Sequence, residues 1–333
     1  MPLPKISICI PTFEGAPYLN HLLSTLSTEK NISEIEIVIS DNASPDNTEE
    51  VVNNYRIKLP NLKYIKNITN IGFRKNLFNS IQHATGEYIW LLGDDDSPTT
   101  GALSFIIEIL NKLNPVLLLP QRISCDALLN PYIREGSCVI EGRTAVPLPS
   151  SHLSCYSFSD RKESIAYLHG NTSAGHMGIF VFISTLIFRK SLWQKHNFNY
   201  PKISFDIYPH VIKIFEGLLI HGGLVVTTGL AAVNARNWAL RPYVASTSDS
   251  IINQSQQAET NFDAFRHYHR DLSCFTEIAK YLFPNDKAYG QAFLSSARSL
   301  LQLGNNKHIY LSIAKDRGIF DEAKDVVDHI FDS

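Results

Sequence analysis

Three consecutive carboxylates, Asp94, Asp95 and Asp96, follow an apolar run over residues 88–92 and a single glycine, Gly93. The apolar run predicts a strand that is buried on both faces, as in the middle of a parallel sheet. Because a buried strand cannot accommodate three charges, the triplet is expected at the strand's carboxyl end, where open α/β sheets bind ligands. Adjacent carboxylates repel one another, so the arrangement favours a divalent cation, Mg²⁺ or Mn²⁺. The alternative is a solvated acidic turn in which Asp96 caps the next helix.

A second carboxylate, Asp41, also follows a predicted strand, and the segment beginning at Pro11 and Thr12 follows another. In a parallel sheet such positions meet in one crevice with the acidic triplet. The Asp41 carboxylate can accept a hydrogen bond from N3–H of uracil or from the amino group of cytosine. The alternative for Asp41 is a local turn that caps the next loop.

A fourth loop places Asn70, Arg74 and Lys75 at the start of a predicted helix. Its charge and backbone N–H groups can bind a phosphate, whereas the alternative is a solvated basic surface. Taken together, a pyrimidine acceptor, basic groups and an acid cluster on one edge are what a nucleoside diphosphate requires. A cation there neutralises the diphosphate as a leaving group.

Hydrophobic periodicity predicts the elements that position these loops. Strands are expected at 5–10 (ended by Pro11), 35–39, 62–65, 88–92 and 116–119, and helices at 17–29, around 51–55, at 72–84 and around 103–110. This alternation is typical of an α/β fold with a doubly wound, mostly parallel sheet flanked by helices. Further on, residues 120–175 are predicted to be irregular with hairpins, and strands are predicted at 179–188 and 222–233. A helix is predicted at 208–219, and the chain is predicted to be mostly helical from about residue 247. The predicted organisation is a part with alternating strands and helices over 1–120, a part of mixed elements over 121–245 and a helical region over 246–333.

Composition limits the classes of function. The 333 residues have a formal net charge of −2, which argues against nucleic-acid binding. Five cysteines without a CxxC pair are typical of a reduced, cytoplasmic protein. With no signal-peptide pattern and no apolar run of spanning length, any membrane contact is expected to be peripheral.

Four motifs carry a family resemblance over residues 5–120. They are residues 8–13 (ICIPTF), 39–46 (ISDNASPD), 70–72 (NIG) and 86–96 (GEYIWLLGDDD), in this order. Together they resemble the family 2 glycosyltransferases of the GT-A fold. The SDNAS and GDDD forms and the overall length resemble in particular the bacterial O-antigen abequosyltransferases, which use a CDP-dideoxyhexose donor.

The resemblance implies a metal-dependent, inverting hexosyltransferase whose GT-A domain has a nucleotide-sugar-binding half over 1–120 and an acceptor-binding half over 121–245. It also assigns roles by position. Its implied donor contacts are Pro11, Thr12 and Asp41 at the nucleoside, Asn70 and Arg74 near ribose or phosphate, and Asp94 at the donor sugar or ribose. Asp95 would ligate Mg²⁺ or Mn²⁺, with Asp96 in support. Two positions depart from the family pattern: Glu14 stands where Asn is frequent, which puts its base contact in doubt, and Gly93 stands where Asp is commoner.

An inverting transfer needs a general base to deprotonate the acceptor hydroxyl. The resemblance implies a carboxylate before a helix in the second half, and Asp206 is its positional match, with a helix cap as the alternative. His210 is the other candidate base, or a donor to the diphosphate.

Residues 234–238 (NARNW) resemble the family's donor-closing loop. Arg236 would bind the diphosphate and Trp238 would stack on the acceptor sugar, the alternative being a core tryptophan. His176 is a candidate on the acceptor side. The implied acceptor is a lipid-linked oligosaccharide at the cytoplasmic face of the inner membrane. A nucleotidyltransferase, a transferase with a UDP-sugar donor and a non-catalytic sugar-nucleotide binding module are the competing hypotheses.

Overall fold

The computed structural model describes residues 3–125, 129, 133–134, 137–140, 143–144, 153–169, 182–194, 208–236, 274–275, 277–300, 315 and 324. The chain forms two compact units. The first comprises residues 1–156, 182–195 and 223–244, and the second comprises 157–181, 196–222 and 245–333. The division of the chain at residues 120 and 245 into parts with different functions stays a prediction.

Strand and helix alternate through the first part of the chain. The elements are β1 (Ile6–Thr12), α1 (Ala16–Leu26), β2 (Ile35–Asp41), α2 (Thr48–Tyr55), β3 (Leu62–Lys66), α3 (Phe73–His83), β4 (Tyr88–Leu91), β5 (Ser97–Pro98) and α4 (Ala102–Leu113). Strands β3, β2, β1 and β4 are neighbours in that order, and each pair is parallel. The α/β prediction is thereby confirmed.

The remaining strands extend this sheet with mixed direction. Next come β6 (Leu117–Cys125), β7 (Ile133–Arg134), β8 (Ser137–Ile140), β9 (Arg143–Thr144), β10 (Leu153–Ser157), α5 (Arg161–His169), β11 (Ile187–Arg189), α6 (Lys190–Gln194), α7 (Pro209–His221), β12 (Leu224–Arg236) and α8 (Lys287–Leu300). The order continues from β4 through β11, β6 and β12 to β10. Strand β11 is antiparallel to both of its neighbours, whereas β12 is parallel to β6. The sheet is therefore mostly parallel, as predicted.

The two faces of the central strands bury different side chains. Isoleucines Ile6, Ile8 and Ile10 of β1 point into the main apolar core, which also holds the buried residues of α1, α2 and α4. The intervening Ser7 and Cys9 point to the opposite face, where α3 packs on β1 and β2. Period-2 alternation with apolar side chains on both faces explains why these strands read as continuous hydrophobic runs.

Three sequence expectations are corrected. Pro11 does not end the first strand but lies inside β1, and it is tolerated because β4 pairs with β1 only as far as Cys9. The strand predicted at 179–188 is shorter: within the described residues a 3₁₀ turn at Ile183–Thr185 precedes β11. Asp96 does not cap the next helix, because α4 has Gly101 at its N-cap.

The second unit has its own aromatic core. Phe215 of α7 contacts Phe293 of α8 edge-on, with ring centroids 5.2 Å apart. An ion pair joins Arg161 of α5 to Asp286, just before α8, through Nη2 and Oδ1 at 2.9 Å. No helix in the part of the chain that the structure describes is long and apolar enough to cross a bilayer.

A buried carboxylate, Glu36, joins the amino ends of the central strands. Its side chain is 3% exposed, and it pairs with Lys63 of β3 and accepts a hydrogen bond from Ser7 of β1. Thr85 donates its backbone N–H at 2.7 Å and its hydroxyl at 2.8 Å to the same carboxylate. Burial alone would raise the pKa of Glu36, but these four bonds outweigh burial and lower it.

Replacing Glu36 with Gln is expected to reduce the free energy of unfolding by about 2–4 kcal/mol at pH 7. The change removes the ion pair with Lys63, and the glutamine amide cannot accept all the hydrogen bonds that Ser7 and Thr85 donate to the carboxylate. Because the native pKa of Glu36 is lowered, its contribution is present above the unfolded value and is lost as pH falls through the native one. The difference between wild type and variant should therefore shrink in acid. Urea unfolding at neutral and acidic pH measures it. Glu34→Gln, at an exposed neighbouring carboxylate, is the control; an equal loss in both variants would contradict this role.

Candidate active site

A cleft of about 360 Å³ lies at the carboxyl ends of the parallel strands. All four loops predicted to converge contribute to its wall, together with one residue that precedes β11. The lining residues are Pro11, Thr12, Phe13, Asn42, Asn70, Phe73, Asn76, Gly93, Asp94, Asp95 and Ile183. The convergence that a parallel sheet imposes is therefore seen in the structure.

The first member of the acidic triplet, Asp94, is held by the loop after β1. Thr12 donates its hydroxyl to Asp94 Oδ2 at 2.5 Å. Burial raises the pKa of Asp94 to about 7, while the Thr12 hydrogen bond opposes this and the charge of Asp95 adds to it. Gly15 leaves room for the carboxylate, since a Cβ there would lie 2.2 Å from Asp94 Oδ2. Asp94 is thus fixed against the loop that the sequence assigns to the nucleoside.

The third member, Asp96, faces away from solvent. It is 4% exposed and accepts a hydrogen bond from the Ser184 hydroxyl, which itself accepts one from the backbone N–H of Gly93 at 2.9 Å. A Cβ at Gly93 would lie only 2.9 Å from Asp95 Oδ1, so the glycine gives the triplet space to turn. These bonds hold the turn that carries Asp95, and the support of a metal ion by Asp96 stays a prediction.

The donor set for a cation is therefore narrow. Within the described ranges, no group of three or more His, Cys, Asp or Glu side chains is arranged to hold a metal ion. Asp94 accepts a hydrogen bond from Thr12 and Asp96 accepts one from Ser184, and of the three carboxylates Asp94 and Asp95 line the cleft. One carboxylate suits Mg²⁺ or Mn²⁺ when substrate phosphates and water supply the other ligands, so the residues fit a cation shared with a diphosphate.

Asp41 ends β2 and is fully buried. Its Oδ1 accepts the backbone N–H of Ser44 at 2.9 Å, as the local-turn alternative predicted, and its Oδ2 accepts the Tyr64 hydroxyl at 2.6 Å. The next residue, Asn42, lines the cleft instead. Asp41 thus supports the wall of the cleft, and its contact with a base stays a prediction.

An asparagine network, which the sequence reasoning did not single out, fixes the loops around the cleft. Asn42 donates to Asn70 Oδ1 at 2.7 Å and accepts the backbone N–H of Ile71 at 2.8 Å. Asn76 accepts the Ser40 hydroxyl at 2.7 Å and donates to the carbonyl oxygen of Ser40 at 2.8 Å. These bonds tie the loops after β2 and β3 together. The available signal was the recurrence of asparagine at the ends of strands and at the start of α3.

Like Asp41, the predicted donor contacts Glu14 and Arg74 are not among the residues that line the cleft. Glu14 is exposed and has a left-handed backbone with φ of 53°, a conformation that asparagine adopts more readily than glutamate. Its backbone N–H donates to Ser44 Oγ at 3.0 Å. Arg74 is half-buried in the first turn of α3. The contacts of both with a donor stay predictions.

Of the predicted catalytic, acceptor and diphosphate-binding residues, the structure describes His210 and Arg236. His210 is buried in the first turn of α7, in the second unit, with its ring edge-on to Tyr208 at 6.3 Å. Arg236 is the last residue of β12 and pairs with Cys125 of β6 along the backbone. Asp206, His176 and Trp238 lie outside the described residues.

A mostly parallel sheet with helices on both faces and an acid-lined cleft at its carboxyl edge agrees with the GT-A type of fold that the sequence resemblance implies. Residues 7–191 match the family described as Glycosyl transferase family 2, and the chain belongs to this family of glycosyltransferases.

Relatives and solved structures agree with this membership. The chain is 31% identical over 233 residues to abequosyltransferase RfbV of Salmonella typhimurium, a match that covers 65% of this chain and 63% of the relative. A Campylobacter jejuni GalNAc(5)-diNAcBac-PP-undecaprenol β-1,3-glucosyltransferase is 32% identical over 111 residues, covering 33% of this chain and 36% of that protein. The chain thus spans less than two thirds of the length of these relatives. A crystal structure of Staphylococcus aureus TarS residues 1–349 shares the fold, with a TM-score of 0.53 at 16% identity, covering 97% of this chain and 90% of that one.

Proposed function

We propose that this glycosyltransferase moves a sugar from a nucleotide-diphosphate donor to a sugar hydroxyl of a lipid-linked oligosaccharide in O-antigen synthesis, with abequose from CDP-abequose as the specific donor. The observation that carries the proposal is the cleft in which the Thr12–Asp94 hydrogen bond and the Asp95 carboxylate stand together. The similarity to abequosyltransferase RfbV supports the sugar. The name of the Campylobacter relative supports an acceptor linked to a polyprenol diphosphate.

In this proposal Asp95 holds Mg²⁺ or Mn²⁺, and the cation, when bound, supplies positive charge to the diphosphate as it leaves. Asp96, through Ser184 and Gly93, orients the turn that carries Asp95. Asp94 binds the donor sugar or ribose, Thr12 contacts the nucleoside, and Asn70 and Arg74 lie near ribose or phosphate. Pro11 and Asp41 complete the nucleoside end.

The transfer is proposed to invert the anomeric centre, as the family resemblance implies, and a single displacement by the acceptor hydroxyl then needs one general base. Asp206 is the proposed base and His210 the alternative. Arg236 is proposed to bind the diphosphate, and Trp238 and His176 to contact the acceptor.

Thermal shift with CDP, UDP and ADP, each with and without Mn²⁺, tests the donor. A ligand at about 100 times its Kd adds roughly 2.7 kcal/mol to the free energy of unfolding, which amounts to several degrees in Tm. We expect the largest shift with CDP plus Mn²⁺ and little with ADP. No shift with any pyrimidine nucleotide would contradict the proposal.

A UDP-sugar transferase of surface-polysaccharide synthesis is the second candidate. It is favoured by the solved complex of S. aureus TarS residues 1–349 with UDP-GlcNAc, whose fold this chain shares. A larger thermal shift with UDP than with CDP would select it. A non-catalytic binding module would show the shift without any turnover.

A further inference from the structure

The edge strand β3 lies in a segment of unusual charge. The sequence has no Asp or Glu between Glu50 and Glu87. The whole chain, by contrast, has a formal net charge of −2. Six cations fall in this interval, at Arg56, Lys58, Lys63, Lys66, Arg74 and Lys75. We call residues 56–75 the basic edge. Among the described residues, β3 is the last strand at this side of the sheet.

Only part of this positive charge is balanced within the protein. Lys63 pairs with the buried Glu36, and Lys66 pairs with Glu49 at 3.0 Å. In the described ranges no carboxylate forms an ion pair with Arg56 or Lys58, both of which are exposed. The basic edge therefore keeps a positive surface.

The basic edge also carries apolar side chains that the fold does not use. Ile57, just before β3, is 95% exposed, and Ile68, just after it, is 99% exposed. Phe73 is 50% exposed and lines the donor cleft. Ile57 lies five residues before the five-residue strand β3 and Ile68 lies two residues after it, so in the sequence the two isoleucines enclose Lys58, Lys63 and Lys66. Exposed isoleucine beside uncompensated cations is the composition that binds the interface of an anionic bilayer.

We propose that the basic edge docks this enzyme on an anionic lipid bilayer, with Ile57 and Ile68 inserted and the cations on the lipid headgroups. Because the loop of Ile68 continues into Asn70 and Phe73 of the cleft wall, docking here places the cleft mouth close to the bilayer. The choice of a membrane as partner rests on the proposed lipid-linked acceptor. The lysines of β3 also block pairing with another strand, and self-association through this edge is the competing outcome.

Co-sedimentation of the full chain with phosphatidylcholine vesicles, with and without phosphatidylglycerol, tests the proposal without donor or acceptor. Binding is expected only with phosphatidylglycerol, and it should be lost in 1 M salt, where the screening length is about 3 Å. Arg56→Gln/Lys58→Gln should weaken it about 25-fold, at about fivefold per cation. Ile57→Ser/Ile68→Ser should weaken it about tenfold.

The matched control is Ile220→Ser/Lys162→Gln, which removes an exposed isoleucine and an exposed lysine from the second unit and should bind as wild type. Donor hydrolysis in buffer without vesicles should be unchanged in every variant, so a failed docking test leaves the proposed function standing. The proposal would be overturned if the chain bound neutral vesicles equally well, or if both edge variants bound as wild type. It would also be overturned if analytical ultracentrifugation showed a dimer that the edge variants abolish.

Discussion

Replacing Asp95 with Ala is expected to lower kcat for sugar transfer at least about 100-fold, because the cation proposed to neutralise the leaving diphosphate would lose its proposed protein ligand. Stability should change little, since Asp95 lines the cleft and is partly exposed. The Mn²⁺-dependent part of the thermal shift with CDP should disappear as well. Initial rates at saturating donor, with Mn²⁺ varied, measure the effect.

Glu50→Ala is the control for Asp95→Ala, because it removes an exposed carboxylate of α2. It should leave both kcat and the Mn²⁺ response at the wild-type level. An Asp95→Ala enzyme that turns over normally would contradict the metal assignment. A wild-type chain that binds CDP yet shows no turnover with any sugar donor would favour the non-catalytic module.

Replacing Gly15 with Ala is expected to be the most damaging single methyl addition at the cleft. The new Cβ would lie 2.2 Å from Asp94 Oδ2 and 2.6 Å from Thr12 Oγ1, so the hydrogen bond between those two atoms must break or the loop must move. Overpacking of this kind reduces the free energy of unfolding by about 1–3 kcal/mol. A displacement of Asp94 by about 1 Å should cost roughly 100-fold in kcat/KM.

Gly290→Ala is the matched control, because the nearest atom to its added Cβ is Phe283 Cβ at 3.8 Å, an ordinary contact. Gly290 lies inside α8, where alanine is favoured over glycine by up to about 1 kcal/mol. The control should keep wild-type activity with equal or higher stability. If Gly15→Ala also kept wild-type kcat/KM and stability, the packing of Asp94 against the first loop would not matter for transfer.

The sequence was sufficient to predict the strands that position the site and the edge of the sheet at which it lies. Runs such as residues 35–39 and 88–92 are apolar on both faces, which only a sheet covered by helices on both sides can bury. Once the strands are parallel, Thr12, Asn70 and Asp95 must meet at one edge, and they do line one cleft. The register of β11, which runs antiparallel between β4 and β6, had no local signature.

The different environments of Asp94, Asp95 and Asp96 could not be predicted from three identical side chains in a row. Asp94 is held by Thr12, which lies far away in the sequence, and Asp96 by Ser184, farther still. Only the tertiary fold brings those partners together, and it places Asp94 and Asp95 in the wall of the cleft while it buries Asp96. The burial of Asp41 under Tyr64 depends in the same way on the pairing of β2 with β3.

A crystal structure with CDP and Mn²⁺ bound tests the central claim most directly. The account predicts that the cation lies within ligand distance of Asp95, with the diphosphate on its other side and the nucleoside between Thr12 and Asn70. A nucleotide bound in another cavity, with Asp95 contacting neither cation nor phosphate, would contradict it.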